Sequence, residues 1–491
     1  MSDAARTLAS VGDVLRSADL LVEALGSGDI AVRGVAQDSR AAKPGDLFLA
    51  WRGTGSDAHD FLAGAVANGA VAAVVERPVE VDVPQLVVSN GRRAAALAAD
   101  WMMGFPSLEL LTVGVTGTNG KTTTSLLARH LLAPDMPTAV IGTLGVVDAD
   151  GVRAGTEGLT TPGPVQVAVW LRELADGGTA AVVMEASSHA LEQHRLDGVA
   201  FDVAVFTNLT QDHLDYHRDM AAYRSAKLRL VDLVHEHGTI VVNAADPAWN
   251  TLDAGPRTRT SFCVDGAADL RAVDLNLGRL GTTFTLLAGE ERFTVTIPLV
   301  GRYNVENALG AIGVARALGI PLATIVKRLA TAPQVRGRLE AVITTPFSVL
   351  IDFAHTPAAL RGALAAVRPL TEGRLIVLFG AGGDRDPSKR RPMAEAVREL
   401  ADVVVLTSDN PRTEDPESII DDLATGLEGT EYLRIADRRE AIRAALRIAG
   451  PGDTVVLAGK GHENYQVVGH EKRPFDERAV AEAALRELGI L

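Results

Sequence analysis

Short apolar segments alternate with turns and helical stretches from the beginning of this 491-residue chain. In the N-terminal part the clearest segments are Asp46 to Trp51 and Val71 to Val75, and an alanine-rich helical stretch follows from Arg92 to Met103. Short apolar segments bounded by turn-forming residues are typical of strands, and longer stretches of helix formers are typical of helices. The pattern predicts a small N-terminal α/β domain.

The next part of the chain repeats the alternation with more strongly apolar strands. These strands are apolar at successive positions, as expected of strands buried on both faces of a sheet. They are Leu108 to Thr116, Thr138 to Ile141, Ala180 to Glu185, Val203 to Phe206 and Thr239 to Val242, separated by helical stretches such as Lys121 to Leu132. The pattern predicts a central domain with a doubly wound, mostly parallel sheet of the P-loop type.

Around Arg336 to Arg338 the alternation starts again. The predicted strands are Val349 to Phe353, Leu375 to Phe379, Val403 to Thr407 and Thr454 to Leu457, and the predicted helices are Pro357 to Val367, Pro392 to Leu400 and Arg438 to Ile448. This indicates a C-terminal, Rossmann-like α/β domain. Because a domain typically holds about 100 to 200 residues, we expect three domains, covering residues 1–106, 107–336 and 337–491.

Composition narrows the class of protein. With 47% hydrophobic and 22% charged residues, the chain has the balance of an ordinary soluble protein. Its net charge of −14 argues against nucleic-acid binding. Its one cysteine, Cys263, allows no intramolecular disulfide and cannot build a zinc site alone. Met1 to Leu15 lacks the regions of a signal peptide, and no apolar run reaches the roughly 18 to 20 residues of a membrane span, so we predict a cytoplasmic protein without a membrane partner.

The strongest local motif is a loop between a predicted strand and a predicted helix, Gly117-Thr118-Asn119-Gly120-Lys121-Thr122-Thr123. Its glycines allow backbone N–H groups to surround a phosphate, Lys121 can reach the terminal phosphates, and Thr122 can bind Mg²⁺. Val115 stands where the usual P-loop has its first glycine, which indicates a variant loop. The alternative is an ordinary strand-to-helix turn with a chance Gly-Lys pair.

Acids, histidines and one lysine follow other strands of the central domain. Glu185 ends a strand where a nucleotide site would have a Mg²⁺-binding acid, but an acidic strand end in solvent is an equally good interpretation. On a helix, His213 and His217 would share a face and could hold zinc, although capping aspartates and surface histidines would give the same pattern. Lys227 lies in the helical stretch from Tyr223 to Val234, and its apolar neighbours alone predict a side chain that extends to solvent.

Three loops of the last domain follow predicted strands and mix basic, acidic and amide side chains. Because loops at the carboxyl ends of parallel strands converge at one sheet edge, they could share a crevice. Such a mixture suits a zwitterion, with guanidinium groups on carboxylates and an acid on the ammonium group. The alternative is three ordinary solvated turns. The loops are Gly380 to Arg385, Ser408 to Arg412 and Gly459 to Glu463.

Together these segments resemble the Mur ligases, the ATP-dependent amino-acid ligases that build the peptide stem of bacterial cell-wall precursors, and most closely the type that adds diaminopimelate. The resemblance extends over essentially the whole chain. Its motifs are Asp38-Ser39-Arg40, Pro44 to Phe48, the Gly117 loop, Thr160-Thr161-Pro162, Glu185 to His189, Asp212 to Asp215, Asn304, Asn307, Gly337 to Glu340, Asp352 to His355 and the three late loops.

The resemblance implies a role for each matched residue. ATP would contact Gly117, Thr118, Asn119, Gly120, Lys121, Thr122, Thr123, Asn304, Asn307, Arg338, Asp352 and His355. Mg²⁺ would bind Thr122, Glu185, His213 and Lys227, the lysine that this family carbamylates, and the catalytic residues would be Lys121, Glu185, His213 and Lys227. The UDP-linked substrate would contact Ser39, Thr160, Thr161, Ser187, Gln193 and Arg195. Diaminopimelate would contact Arg385, Asp409, Asn410, Pro411, Arg412, Gly459 and Glu463.

The resemblance also implies the reaction. ATP would convert the D-glutamyl γ-carboxylate of UDP-N-acetylmuramoyl-L-alanyl-D-glutamate into an acyl phosphate, which the amine of meso-2,6-diaminopimelate attacks. The N-terminal domain would bind the UDP-linked substrate, the central domain ATP and the C-terminal domain the amino acid, and we expect a monomer whose partners are these small molecules. The alternatives are the same ligation with L-lysine or L-ornithine, a folylpolyglutamate synthetase-like ligase, and a non-catalytic nucleotide-binding regulator.

Overall fold

The computed structural model describes residues 6–53, 55–153, 159–279 and 281–491, so the first five residues of the segment Met1 to Leu15 lie outside it. Three sheets organise these residues, with five, eleven and six strands, and a two-stranded hairpin lies near the C-terminus. Most neighbouring strands of the three large sheets run parallel and are joined by helices, which is the predicted α/β class. Within the described ranges, no helix is long and apolar enough to cross a membrane.

The N-terminal sheet has the order β1-β5-β4-β3-β2, and its edge strand β1 is antiparallel to β5. Helices α1 and α3 cover one face of the sheet and α2 covers the other. The elements are α1 (Leu8–Ser17), β1 (Leu21–Leu25), β2 (Gly34–Ala36), β3 (Asp46–Leu49), α2 (Leu62–Ala67), β4 (Ala72–Val75), β5 (Gln85–Val88) and α3 (Gly91–Met102).

The central sheet has the order β16-β15-β14-β13-β12-β11-β6-β10-β7-β8-β9. The seven middle strands of the sheet, β14, β13, β12, β11, β6, β10 and β7, run parallel to one another. Antiparallel strands extend the sheet at both ends, β15 and β16 at one and β8 and β9 at the other. The strands are β6 (Leu111–Thr116), β7 (Thr138–Gly142), β8 (Gly145–Asp148), β9 (Gly151–Val152), β10 (Ala181–Glu185), β11 (Phe201–Phe206), β12 (Val234–Asn243), β13 (Thr258–Val264), β14 (Leu270–Gly278), β15 (Gly281–Ala288) and β16 (Glu291–Ile297). The helices are α4 (Lys121–Leu132), α5 (Pro164–Asp176), α6 (Ser188–Glu192), α7 (Leu214–His217), α8 (Met220–Asp232), α9 (Arg302–Ala317) and α10 (Leu322–Leu329).

The C-terminal sheet has the order β17-β18-β22-β19-β20-β21, with only β17 antiparallel to its neighbour. The loops that follow the four middle strands therefore lie along one edge of the sheet. The strands are β17 (Glu340–Ile343), β18 (Ser348–Asp352), β19 (Leu375–Phe379), β20 (Val403–Leu406), β21 (Tyr432–Arg434), β22 (Thr454–Ala458), β23 (Tyr465–Val468) and β24 (Glu471–Pro474), and the helices are α11 (Pro357–Val367), α12 (Arg390–Arg398), α13 (Pro416–Ala424), α14 (Arg438–Ile448) and α15 (Glu477–Glu487).

Candidate active site

The Gly117 loop joins β6 to α4, which begins at Lys121. Gly117 and Gly120 have positive φ angles of 143° and 89°. A Cβ atom at Gly117 would lie 1.8 Å from Thr207 Oγ1, and one at Gly120 would lie 2.2 Å from Asn307 Oδ1. Both positions therefore require glycine, and the first turn of α4 gives the loop the N–H groups and positive potential that bind phosphate.

The ammonium groups of two lysines, one from α4 and one from α8, contact the backbone of this loop. Lys121 Nζ donates to the carbonyl oxygens of Gly117 and Thr118 at 3.0 and 2.9 Å. Lys227 Nζ, from α8, donates to the same Gly117 oxygen at 2.8 Å, and the residue is 1% exposed. Burial lowers the pKa of Lys227 well below its usual value, and the charge of Lys121 adds to the shift. The prediction that Lys227 extends to solvent is therefore wrong.

Glu185 is buried at the end of β10, beside the Gly117 loop (residues 117–123), called the phosphate loop below. Its Oε1 accepts the backbone N–H of Thr143 at 2.9 Å, and its Oε2 accepts the hydroxyl groups of Thr122 and Thr143, each at 3.0 Å. The interpretation of Glu185 as a solvent-exposed strand end is thus wrong. Thr122 and Glu185 together bring two hard oxygen donors to one point, and Mg²⁺ prefers such donors.

His213 precedes a helix of only four residues, α7, and His217 is the last residue of that helix; His213 has a positive φ of 53°. Their ring centroids lie 4.8 and 5.2 Å from that of His189. Burial lowers the pKa of both His189 and His213 to about 4, so both imidazoles are neutral at pH 7. Among the residues that the structure describes, no three His, Cys, Asp or Glu side chains are arranged to hold a metal ion. A zinc pair at His213 and His217 therefore has no third protein ligand there.

The residues predicted to contact ATP approach the loop from α9 and from the C-terminal domain. Asn307 Nδ2 donates to Asn304 Oδ1 at 3.1 Å, and both amides are buried. Arg338 Nη2 donates to Thr122 Oγ1 at 3.5 Å. This contact brings a guanidinium group from the segment just before β17 to the loop between β6 and α4.

Asp352 and His355 lie at the end of β18, near Arg338. The Asp352 carboxylate accepts the backbone N–H groups of Leu339 and Ala354 at 2.7 and 2.8 Å. Burial raises the pKa of Asp352. His355 is exposed, and its Nδ1 lies 2.8 Å from a backbone oxygen two residues earlier.

The residues predicted to bind the UDP-linked substrate form one hydrogen-bonded network, apart from Ser39. Thr161 Oγ1 donates to the carbonyl oxygen of Glu185 at 2.6 Å, and Arg195 Nη1 donates to Thr161 O at 2.7 Å. Ser187 and Gln193 belong to the same network, through the Thr161 hydroxyl and the Arg195 guanidinium group. Thr160 joins it through Thr143, whose hydroxyl contacts both Thr160 and Glu185. Ser39 lies on the N-terminal domain, and no hydrogen bond within the described ranges joins it to this network.

The three late loops meet at the carboxyl edge of the C-terminal sheet. Asn410 Nδ2 donates to Glu463 Oε2 at 2.9 Å, and Arg412 Nη1 donates to Gly383 O at 2.7 Å. A Cβ atom at Gly459 would lie 3.7 Å from the Asp409 carboxylate. The alternative of three independent solvated turns is therefore wrong, although not every predicted residue is enclosed: Asp409, Asn410 and Pro411 are buried and Arg385 is exposed.

Two lysines of this region were not predicted. Lys460 is 0% exposed, and its ammonium group contacts Asn410, Glu463 and Asp409. Lys389 Nζ donates to Asp212 Oδ1 at 3.1 Å and so connects the C-terminal domain to the segment of His213. The position of Lys460 in a glycine-rich loop after a strand was a usable signal, whereas nothing in the sequence distinguishes Lys389 from an ordinary surface lysine.

Comparison with known proteins identifies the family. Three profiles match in order along the chain: "Mur ligase family, catalytic domain" at residues 31–102, "Mur ligase middle domain" at 115–315, and "Mur ligase, glutamate ligase domain" at 337–461. A protein of Synechococcus elongatus named UDP-N-acetylmuramoyl-L-alanyl-D-glutamate–2,6-diaminopimelate ligase is 43% identical over 474 residues, which cover 94% of this chain and 95% of that protein. The chain belongs to the Mur ligase family.

Other Mur ligases agree with this assignment. A protein of Geobacillus kaustophilus with the same name as the Synechococcus one is 42% identical over 465 residues, 92% of this chain and 94% of that protein. A solved structure of a ligase with that name has a TM-score of 0.71 and 32% identity and covers 99% of both chains. The MurF ligase of Thermotoga maritima in complex with ADP has a TM-score of 0.65 at 20% identity, covers 93% of this chain and 97% of that one, and shows the fold alone. The predicted family and α/β class are confirmed.

Proposed function

We propose that this Mur ligase uses ATP to join meso-2,6-diaminopimelate to the D-glutamyl γ-carboxylate of UDP-N-acetylmuramoyl-L-alanyl-D-glutamate in peptidoglycan precursor synthesis. The observation that carries the proposal is the 43% identity, over 94% of the chain, to a protein named for that ligation. The geometry supports it, because the phosphate loop, the carboxylate of Glu185 and the guanidinium group of Arg338 meet at Thr122.

We propose that the three parts of the chain that carry the three large sheets each bind a different substrate. Residues 1–106 would bind the UDP-linked substrate, residues 107–336 ATP, and residues 337–491 the amino acid. The contacts of Arg338 with Thr122 and of Lys389 with Asp212 support a reaction site between the last two domains. We further propose a monomer that works in the cytoplasm on small molecules alone, without nucleic-acid or membrane partners.

The proposed chemistry starts from the poor reactivity of a carboxylate towards amines. An oxygen of the γ-carboxylate attacks the terminal phosphorus of ATP, the bond to the bridging oxygen breaks, and ADP leaves. Lys121 and the N–H groups at the start of α4 would stabilise the charge on the transferred phosphoryl oxygens. The unprotonated amine of the amino acid then attacks the acyl carbon, a tetrahedral intermediate forms, and inorganic phosphate leaves as the amide forms and the nitrogen loses a proton.

Thr122, Glu185 and His213 would hold Mg²⁺. Their donors fit the ion, because two oxygen atoms 3.0 Å apart and a neutral imidazole border the phosphate loop. Bound Mg²⁺ would supply positive charge against the phosphate oxygens. Lys227 could join this set only as a carbamate, which requires that its unprotonated amine attack CO₂, form a C–N bond and lose a proton. The lowered pKa of Lys227 supports this modification, because it favours the unprotonated amine.

Recognition of diaminopimelate would depend on Arg412. Diaminopimelate differs from lysine by one carboxylate at the far end of the side chain, and a guanidinium group binds a carboxylate through two hydrogen bonds. The backbone of Arg412 is fixed by hydrogen bonds to Val467 and from Gly469, at 3.0 and 2.7 Å. Lysine would leave the guanidinium group with its hydrogen bond to Gly383 O but without a carboxylate partner, which is the kind of penalty that rejects an analogue.

A folylpolyglutamate synthetase-like activity is the main alternative. The folylpolyglutamate synthase of Mycobacterium tuberculosis has a TM-score of 0.63 at 17% identity and covers 80% of this chain and 94% of its own, so it shares the fold alone. The test is ADP release by the purified protein with ATP, Mg²⁺ and either the UDP-linked dipeptide with diaminopimelate or a folate with glutamate. We expect release only with the first pair. Folate-dependent release would contradict the proposal, and the absence of release with any pair would favour a nucleotide-binding regulator.

A further inference from the structure

A buried lysine lies behind the proposed amino-acid pocket. Lys460 follows β22, is 0% exposed, and places its Nζ 2.7 Å from Asn410 Oδ1 and 3.0 Å from Glu463 Oε2. The same Nζ lies 3.3 Å from Asp409 Oδ1. An ammonium group has three N–H donors, and these three oxygen atoms are its neighbours. Lys460 is thus an internal counter-ion for the carboxylates of Asp409 and Glu463 and a hydrogen-bond donor to the Asn410 amide.

The contacts of Lys460 fix which way the Asn410 amide faces. Asn410 Oδ1 receives hydrogen bonds from Lys460 Nζ at 2.7 Å and from the backbone N–H of Val467 at 2.9 Å. If the amide were reversed, its NH₂ group would face two donors. The observed orientation therefore holds Nδ2 against Glu463 Oε2 at 2.9 Å, and among the described residues Nδ2 donates no other hydrogen bond.

Lys460 has a parallel effect on Glu463. Oε2 of that carboxylate accepts from both Lys460 and Asn410, while Oε1 accepts no hydrogen bond in the described part of the chain. One oxygen is thus held by the protein, and the other can accept from the ammonium group of an amino acid. Without the lysine, the carboxylates of Asp409 and Glu463 would repel each other and lose this arrangement.

We propose that Lys460 is a positioning residue for amino-acid binding: it orients the Asn410 amide and the Glu463 carboxylate so that one can donate to a carboxylate and the other can accept from an ammonium group. The inference rests on the proposed function, because it takes these loops as the amino-acid pocket. Lys460 itself is buried behind the two side chains and does not touch the substrate.

The test replaces the buried cation with an apolar side chain of similar length. Lys460→Met should raise the KM for diaminopimelate by about tenfold or more, because the amide and the carboxylate lose their fixed orientation. The kcat and the KM values for ATP and the UDP-linked substrate should stay close to those of the wild type. Lys460→Arg, which keeps a buried cation, should restore much of the affinity.

Lys472→Met is the matched control. Lys472 is exposed on β24 and contacts the ring of Tyr465, as Lys460 does, at 4.8 and 5.9 Å respectively. It contacts none of the three loop side chains, so its replacement should leave all KM values unchanged. If Lys460→Met does not fold, Lys460→Gln replaces it, with circular dichroism as the measure of folding.

Three outcomes would overturn the inference. An unchanged KM for diaminopimelate in a folded Lys460 variant would remove the positioning role. An equal loss across kcat and all three KM values would indicate a general structural role. A wild-type protein that ligates no amino acid would contradict the proposed function as well, whereas ligation by the wild type with no effect of Lys460→Met would contradict this inference alone.

Discussion

Lys121 and Lys227 donate hydrogen bonds to the same oxygen atom, the carbonyl oxygen of Gly117, at 3.0 and 2.8 Å. Two ammonium groups on one buried acceptor repel each other. Burial already lowers the pKa of both lysines, and the charge of Lys121 lowers that of Lys227 further. Lys227 is therefore the more readily deprotonated of the two amines, because the nearby carboxylate of Glu185 opposes the lowering of the Lys121 pKa.

Replacement of Lys227 should remove the proposed carbamate. Lys227→Ala should lower the ligation rate by about 10² to 10³, and short-chain carboxylic acids should restore part of it, because they supply the missing anion. The measurement is the ligation rate with and without acetate or propionate, and Lys327→Ala, at an exposed lysine of α10, is the control. An unmodified Lys227 amine in well-resolved density of the active enzyme with Mg²⁺ would contradict the carbamate.

Replacement of Lys121 should separate activity from folding. Lys121→Ala should reduce the ligation rate by about 10² to 10³, the usual effect of losing an electrostatic contact to the transition state. The fold should survive, since the aliphatic part of Lys121 contributes little to the core. Circular dichroism and the ligation rate, both measured on the same sample, test this prediction. A ligation rate close to that of the wild type would contradict the assignment of the Gly117 loop as the phosphate-binding loop.

The depressed pKa values of the histidine cluster predict how stability depends on pH. Between about 6.5 and about 4, unfolded chains bind protons at His189 and His213 that the folded protein does not bind, so the free energy of unfolding should fall as the pH is lowered through this window. His189→Gln should make that fall shallower, while His237→Gln, at an exposed histidine, should not. Thermal unfolding from pH 7 to pH 5 is the measurement, and parallel curves for His189→Gln and wild type would contradict the account.

Replacement of Arg412 should weaken the binding of the amino acid and leave the binding of the other two substrates unchanged. Arg412→Ala should raise the KM for diaminopimelate by about 10 to 100-fold, because a carboxylate loses its charged partner. The KM values for ATP and the UDP-linked substrate should change little. Arg473→Ala, at an exposed arginine of β24, provides the control in steady-state kinetics with each substrate varied in turn, and a uniform change in all three KM values would count against a specific role.

Strongly patterned segments of the fold could be predicted from the sequence. Helix α4 has the predicted bounds, Lys121 to Leu132, because the loop before it fixes its start. The three strands between residues 270 and 297 were not predicted, although Phe284 and Leu286 are buried and alternate with half-buried threonines in β15. This alternation is the signal of a sheet packed on one face, and it contrasts with the fully apolar strands that the prediction relied on.

The site was predictable where chemistry follows directly from a local motif. The spacing around Lys227 predicted a solvated lysine because apolar neighbours on a helix give no information about what lies across the sheet. Only the packing of α8 against the Gly117 loop reveals a buried amine. The burial of Lys460 is likewise revealed only by packing, because its three oxygen neighbours come from two separate loops.

The most direct test of the central claim is a competition between amino acids. The purified protein would receive ATP, Mg²⁺ and UDP-N-acetylmuramoyl-L-alanyl-D-glutamate with equal concentrations of meso-diaminopimelate, L-lysine and L-ornithine, and mass spectrometry would quantify the products. We predict that the diaminopimelate product exceeds each of the others by about 100-fold or more, as expected when an analogue lacks the carboxylate that a guanidinium group binds. Equal incorporation of lysine, or a product that carries only lysine or ornithine, would contradict the account.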